Sequence, residues 1–350
     1  MPLVAEQYSH VIGADTHART HSYAVIETIT GRVTAQSTFP ASLAGIRRAV
    51  AWIDRSAPGP VLAAVEGTGS YGANLHTALR DAGITVTEAQ PPKRAGRLRG
   101  KSDAIDAEAA ARSVLGKKTE LRGSPREGKV RSALRVLLAA RRGMDSQRTA
   151  DRNALTALLR NIDLGVDARR PLSDQHIREV AAWRTRPSDD VEQDVARAEA
   201  TRLARSVVTL TDTLQQNLAA LREHSLSLAP GLLAMPGVGP FSAAVILTAW
   251  SHPGRVRSEA AFATLAGVAP IPASSGNTTR HRLDRHGDRQ LNRALDIVAR
   301  SRLKNDPGTQ AYAARRQSEG KTLREVRRLL RRYIARQVFR ELKTTSSQIA

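Results

Sequence analysis

Across 350 residues, 54 Lys plus Arg stand against 33 Asp plus Glu, a formal charge of +21 (54 − 33) with His neutral, and an excess of that size calls for a polyanionic partner, nucleic acid before any other. Cysteine is absent and the nine His form no H-E-x-x-H pair, which excludes disulfides and the Cys-rich zinc modules. "MPLVAEQYSH" lacks the pattern of a secretory leader and the longest apolar run, "AAVILTAW" at 243–250, is too short to cross a bilayer, so a cytoplasmic protein without membrane contact is expected.

Three short β segments open the chain, "HVIGADTH", "HSYAVIET" and "RVTAQSTF", each rich in β-branched or aromatic residues and joined by short polar links, the pattern of a meander. After Pro40, the apolar residues Leu43, Ile46, Val50 and Ile53 recur at steps of three and four, the period of a helix. "VLAAVEG" (61–67) reads as a buried strand, "YGANLHTALRDAG" as a helix closed by Gly83, and "ITVTEA" as a further strand, with another helix starting near Ser102. The order β-β-β-α-β-α-β-α suits a mixed sheet with helices on its faces, the α/β architecture of ribonuclease-H-like nucleases.

From about residue 127 long helices take over. The first runs to about 162 without proline, and a turn-rich stretch with Gly165, Pro171 and Pro187 follows. In the next helix, from about 190 to 226, Leu203, Val207, Leu210, Leu214, Leu218 and Leu221 repeat at four and three, the seam of a coiled coil. Two antiparallel helices forming an arm is the economical reading, with a pair of ordinary core helices as the alternative. From Leu232 onward a third unit, rich in Ala, Gly and Arg, ends in "KTLREVRRLLRRYIARQVFRELK". There Leu323, Val326, Leu330, Ile334 and Val338 mark one buried face, and the arginines turn to nucleic acid or to solvent. "MPGVGPFSAAVIL" is a Gly-Val-Gly turn opening a helix, either a phosphate-binding hairpin or a plain inter-helix turn. The expected boundaries are 1–120, 121–228 and 229–350.

The carboxylates give this outline chemical content. Asp15 lies inside the first strand, Glu66 ends the fourth, and Asp103 and Asp106 lie three apart on the helix after the fifth, where i and i+3 share a face. With the first and fourth strands adjacent, Asp15 and Glu66 converge and the helix brings its pair over them. Four carboxylates in one place repel unless a cation neutralises them, and hard oxygen ligands select Mg2+ or Mn2+. Just upstream, Lys93, Arg94, Arg97, Arg99 and Lys101 are placed to hold the phosphate backbone that the metal activates. Asp103 and Asp106 also suit a helix start capped by Ser102, whereas Asp15 in an apolar strand is costly without a purpose. Glu108 reads as a solvated neighbour. "GSPREGKV" (123–130) falls short of a nucleotide-binding loop, because Val130 stands where a hydroxyl residue is needed.

"IGADTH", "AVEGTGSYG" and "GKSDAIDA", followed by "AMPGVGPFSAAVIL", "FATLAGVAP" and "SSGNTTRHRLDRHGDRQLNRAL", resemble the DEDD transposases of bacterial insertion sequences. That group is related to the Piv-type DNA invertases and is described as bridge-RNA-guided recombinases. The resemblance covers nearly the whole chain. It implies an RNase H/RuvC-like domain with Asp15, Glu66, Asp103 and Asp106 as catalytic metal ligands, a coiled-coil arm, and a mainly helical C-terminal transposase domain. In that last domain the family uses a serine just before a glycine as nucleophile, which Ser275 before Gly276 matches, with Ser274 one register away. Arg280, Arg282, Arg285, Arg289 and Arg293 flank this serine and would stabilise the phosphodiester under attack. The serine and the acidic site are then expected to meet, across the fold or across subunits. Also implied are DNA as substrate, a noncoding guide RNA that selects sequence by pairing, and a dimer of dimers. Without the resemblance, "PASSGNTT" reads as a polar turn.

Two rivals stand beside this reading. A structure-specific nuclease, similar to a Holliday junction resolvase, would use the same carboxylates with water, and Ser275→Ala would leave its cleavage intact. A non-catalytic nucleic-acid-binding protein would tolerate Asp106→Asn.

Overall fold

Alternation along the first strands decides how the first layers stack. In β1 (His10–Thr16) every residue after the first is buried, so the strand is covered on both faces. Ile12 and Ala14 of β1, Tyr23 and Val25 of β2 (Thr20–Glu27), and Ala63 and Val65 of β4 (Val61–Val65) line one face. They pack against Ile46, Ala49 and Ile53 of α2 (Leu43–Ser56) and Leu75 and Leu79 of α3 (Ala73–Asp81). The alternate residues Val11, Ile26, Leu62 and Ala64 pack on the other face against Ala110, Ala111 and Val114 of α4 (Asp103–Leu115), joined by Val4 of the short α1 (Val4–Gln7). With β3 (Val33–Pro40) and β5 (Thr85–Glu88), the sheet runs in the order β3-β2-β1-β4-β5. The meander β1-β2-β3 is antiparallel, and β4 runs parallel to both β1 and β5. This is the expected mixed RNase-H-like sheet, and among the described residues of this region α1 is the element the sequence pattern did not reveal.

The computed structural model describes residues 2–89, 102–119, 123–273, 276, 281–282, 284 and 287–349, without the side chains of 281 and 346–349. The chain divides into two compact units, residues 1–127 and 128–350.

The second unit is built on two long helices, α5 (Lys129–Asn161) and α7 (Val191–Leu228), of 33 and 38 residues. They are antiparallel: Asn217 donates from its amide to the Leu137 carbonyl (3.1 Å), and the Ser206 hydroxyl reaches Asp151 (2.6 Å). The expected seam is largely present, since Leu203, Val207, Leu214 and Leu221 are buried while Leu210 and Leu218 are half-buried. A third helix, α6 (Asp174–Ala181), lies inside the turn-rich stretch and caps the distal end of the pair. Its Ile177 and Val180 share a core with Leu155, Leu159, Ala200 and Leu203. At the other end Leu134, Leu138 and Leu221 belong to the same core as the C-terminal helices, so the arm is rooted in that part of the unit.

The C-terminal part comprises α8 (Pro230–Ala234), α9 (Pro240–Trp250), α10 (Glu259–Leu265), a small ribbon of β6 (Ile271–Pro272) and β7 (His281–Arg282), α11 (Arg289–Asn305), α12 (Pro307–Ser318) and α13 (Leu323–Ile349). The Gly-Val-Gly turn joins α8 to α9 and is tied to α11. A Cβ on Gly237 would lie 3.0 Å from the Val298 carbonyl, and the buried Arg302 donates from Nε to the Pro236 carbonyl at 2.7 Å. Along α13, Val326, Leu330, Ile334 and Val338 are buried as their spacing predicts. Leu323 departs from that stripe and is half exposed, because it sits in the first turn before the helix reaches the core. Among the described residues no helix is long and apolar enough to cross a membrane.

Candidate active site

The same alternation that stacks the layers delivers two carboxylates to one place. Val11 and Leu62 face α4, and two and four residues on come Gly13 and Asp15 in β1, Ala64 and Glu66 along β4. The Asp15 side chain is only 7% exposed. Glu66 lies one residue past the end of β4, its N–H bonded to the Ala14 carbonyl at 3.0 Å, and the Thr16 hydroxyl donates to the Glu66 carbonyl at 2.9 Å. Its carboxylate oxygen Oε1 is buried and has no hydrogen-bond partner among the described residues.

Helix α4 supplies the second pair because it can approach the sheet closely. Any Cβ on Gly13 would collide with the Ala107 carbonyl oxygen and lie 2.7 Å from the Ala111 nitrogen. Only glycine fits there. The buried side of the helix is likewise small, with Ala107, Ala110 and Ala111 against the strands. Ser102 caps the helix, its hydroxyl accepting from the Ile105 N–H (3.4 Å), and Asp103 and Asp106 occupy the first turn just above β1. Glu108 is not part of the set and pairs with Arg112 at 2.6 Å.

Electrostatics tie the four acids together. The Asp15 carboxyl is pushed above its ordinary range, first by burial and further by the charges of Asp103 and Asp106, while His17 pulls it back. Glu66 is likewise pushed up, by burial and then by Asp15 and Asp106. His17 is the residue that sequence reasoning missed. Its Nε2 lies 3.0 Å from Asp15 Oδ2 and 3.6 Å from Asp103 Oδ1, and the potential donor atoms of the three all lie within 4.8 Å of one another. The signal was present as "DTH", because residues two apart at the end of a strand share a face.

An oxygen-rich cluster of this kind, with one buried carboxylate oxygen left unpartnered, has the chemistry to hold a divalent cation. Among the described residues the group whose ligand atoms come close enough to share an ion is Asp15, His17 and Asp103; Glu66 and Asp106, the other two expected ligands, lie near enough to act on the cluster by charge but are not within that group.

The basic residues are placed unevenly. Arg282 is exposed on β7, and Arg289 and Arg293 lie in the first turns of α11. Lys93, Arg94, Arg97, Arg99, Lys101, Ser275, Arg280 and Arg285 lie outside the described residues.

Comparison with known proteins assigns the family. Residues 12–163 match the DEDD, IS110-type family described as "Transposase", and residues 229–314 match the "Transposase IS116/IS110/IS902 family", together well over half of the chain. The chain belongs to the IS110 family of insertion-sequence transposases. All four carboxylates of this IS110-family chain fall in the first match, and Ser275, Arg289 and Arg293 fall in the second. It is 38% identical over 105 residues to the "Insertion element IS110 uncharacterized 43.6 kDa protein" of Streptomyces coelicolor, covering 30% of the chain and 25% of that relative. It is 31% identical over 137 residues to the "Insertion element IS900 uncharacterized 42 kDa protein" of Mycobacterium paratuberculosis, covering 37% of the chain and 33% of the relative. The matches thus span a quarter and a third of the relatives' lengths.

Proposed function

We propose that this IS110-family chain is a metal-dependent DNA transposase that excises and inserts a mobile element through a covalent phosphoserine–DNA link. The observation that supports the reading is the approach of Asp15, Asp103 and His17 at the carboxyl end of β1, with Glu66 and Asp106 near enough to act on it by charge, inside a region that matches DEDD transposases. In functional terms residues 1–120 would be the catalytic domain, 121–228 the arm, and 229–350 the domain that supplies the nucleophile.

The four carboxylates would hold Mg2+ or Mn2+, which when bound would neutralise them and polarise a phosphate oxygen. His17 keeps the Asp15 carboxylate oriented through its hydrogen bond. Ser275 Oγ would attack the phosphorus of a backbone phosphodiester. An O–P bond forms as the P–O bond to deoxyribose breaks; the serine gives up its proton and the leaving oxygen takes one. Rejoining reverses these events, with a deoxyribose hydroxyl of the partner strand attacking the phosphoserine, so the bond energy is kept and no nucleotide cofactor is consumed. Lys93, Arg94, Arg97, Arg99 and Lys101, with Arg280, Arg282, Arg285, Arg289 and Arg293, would hold backbone phosphates. By kinship, a noncoding guide RNA would choose donor and target by base pairing, and the working assembly would be a dimer of dimers.

The test is direct. Protein from cells carrying the element's flanking DNA is purified under denaturing conditions, digested, and searched by mass spectrometry for a nucleotide on the peptide containing Ser274 and Ser275. A Ser275 adduct that disappears in Asp106→Asn joins serine and acids in one mechanism. Metal-dependent nicking that persists in Ser275→Ala, without any adduct, replaces it with a water-using nuclease. One feature favours that second reading: all four carboxylates and His17 belong to the first compact unit, which holds a full acid set by itself.

A further inference from the structure

The arginines of α13 point to two sides of the helix, and the two sides have different partners. Arg332, Arg336 and Arg340 turn to Glu259 of α10. The Arg336 and Arg340 Nε atoms lie 3.1 and 2.6 Å from its two carboxylate oxygens, and Arg332 reaches its carbonyl at 3.4 Å. The hydrogen bond from Arg340, with the neighbouring charges, holds the Glu259 carboxyl below its ordinary range. This face is occupied in holding two helices together.

On the other side, Arg324, Arg327, Arg328 and Arg331 follow the i, i+3, i+4, i+7 pattern that shares one helix face. They meet Arg289 and Arg293 of α11 across an open cleft of about 500 Å3. Among the described residues the acid lining the cleft is Asp296. Arg327 bonds both its oxygens at 2.7 Å, Arg300 approaches to 3.2 Å and Arg331 to 3.9 Å. Arg289, Arg293, Arg324 and Arg328 have neither an ion pair nor a hydrogen bond among the described residues. Buried Nε atoms without an acceptor occur on both faces, at Arg327 and Arg331 and at Arg336, so it is the crowding of six guanidinium groups around Asp296 that favours an incoming polyanion in the cleft.

The cleft also continues in both directions. Arg328 and Arg331 line an adjoining cavity of about 430 Å3 with Arg282, Lys321, Arg332 and the acid Glu325, and Arg293 lines another of about 330 Å3 with Arg141, Arg142 and the acid Asp145. Cations outnumber acids in each, and a row of such hollows fits a linear polyanion better than a single small anion. We infer that the α11–α13 cleft is a grip for the phosphodiester backbone of a nucleic acid, in which Arg289, Arg293, Arg324 and Arg328 contact phosphates while Asp296 positions Arg327. Arg336 and Arg340 take no part. The inference rests on the nucleic-acid reading above and adds which surface of the chain does the holding.

Two charge-matched double variants of the full chain separate the faces: Arg324→Gln with Arg328→Gln in the cleft, and Arg336→Gln with Arg340→Gln on the opposite side. Each is titrated with a labelled duplex DNA of arbitrary sequence and with an RNA hairpin of similar length over a range of salt. The cleft pair should weaken binding of at least one nucleic acid about tenfold near physiological salt and lower the slope of log K against log salt by about two, roughly one per lost phosphate contact. The control pair should stay within about twofold, with its slope unchanged. Loss confined to the DNA or to the RNA supports the grip and names its occupant. Equal losses in both variants, or none in the cleft pair, overturn it. Thermal melting guards the comparison: the cleft pair should melt close to the parent, because its side chains make no hydrogen bond or ion pair among the described residues and Arg328 loses only a charge interaction with the exposed Glu325. Should the parent bind neither DNA nor RNA, the nucleic-acid reading of the whole chain falls with the inference, whereas the Ser275 adduct assay tests the chemistry separately.

Discussion

The acidic site and the arginine cleft are both assemblies of like charge, yet they are built in opposite ways. Asp15, Glu66, Asp103 and Asp106 come from two strand ends and a helix start, brought together by a sheet that buries Asp15 almost completely and leaves a Glu66 oxygen unpartnered. The cleft comes from two helices whose long side chains stand along an open hollow. A compact cluster anchored on the buried Asp15 and open to solvent at Asp103 and His17 answers to a small ion of high charge density, and an open row answers to an extended polymer. In each case the fold holds repelling groups at a standing cost, which their partner removes.

The largest effect should come from breaking the acidic assembly. Asp106→Asn removes one candidate ligand and should lower DNA strand cleavage or transfer on the order of 10³-fold, the scale of several kcal/mol of metal-borne stabilisation. Duplex DNA affinity should hold within about twofold, since the cleft lies in the other unit. The same variant sharpens the contrast through pH. Asp15 and Glu66 hold protons more tightly in the folded chain than at the ordinary values of 3.8 and 4.5, burial being the first cause and neighbouring carboxylates the next. Their contribution to stability is therefore fully present below those values and is lost as pH rises through the raised folded ones. Without metal, Asp106→Asn should melt above the parent at neutral pH, and the difference should vanish near about pH 3, where both sites are protonated. A variant that melts with or below the parent at neutral pH would mean that the acids do not repel one another.

Next in size is the contact that lets the assembly close. Gly13→Val places branched carbons where the Ala107 carbonyl sits, so α4 must move away from β1 and carry Asp103 and Asp106 with it. Overpacking of this kind typically costs about 1–3 kcal/mol. Thermal melting should fall accordingly, and strand cleavage should fall with it, while titration with duplex DNA should report a grip that is still intact. Cleavage at the parent's rate from a destabilised variant would show that the α4 pair is dispensable.

These elements were not equally legible in the sequence. The mixed sheet with helices on its faces followed from the order β-β-β-α-β-α-β-α, with the adjacency of the first and fourth strands taken from the ribonuclease-H-like architecture, and Asp15 and Glu66 stood out because carboxylates in apolar strands demand a reason. The helix pair over residues 127–226 was legible from its period and its freedom from proline. The short α6 was hidden because eight residues between glycine and proline signals give too few turns for a period to register. The division of the α13 arginines was beyond reach for a different reason. It depends on Glu259 and Asp296, which lie far away in the chain and come beside that helix only in the folded unit. His17 fell between these cases, visible as a letter but read only as the last residue of the first β segment.

That histidine is where the smallest effect and the finest distinction lie. His17 touches Asp15 and approaches Asp103, so it acts either by holding a carboxylate in the right orientation or by lending its own nitrogen to the ion. Partners that orient metal ligands typically contribute about 10–100-fold in metal affinity. His17→Ala should therefore weaken Mn2+ binding, measured by calorimetry on the full chain, about tenfold, well short of the loss expected on removing Asp106. His17→Gln keeps an N–H donor at a similar reach. Orientation through the hydrogen bond predicts that Gln recovers most of the affinity, for Mg2+ and Mn2+ alike. Direct ligation predicts instead that Gln fails and that Mn2+ suffers more than Mg2+, because imidazole nitrogen favours the transition metal. An Ala variant that binds both ions like the parent would leave His17 as a surface neighbour and return the whole site to its carboxylates.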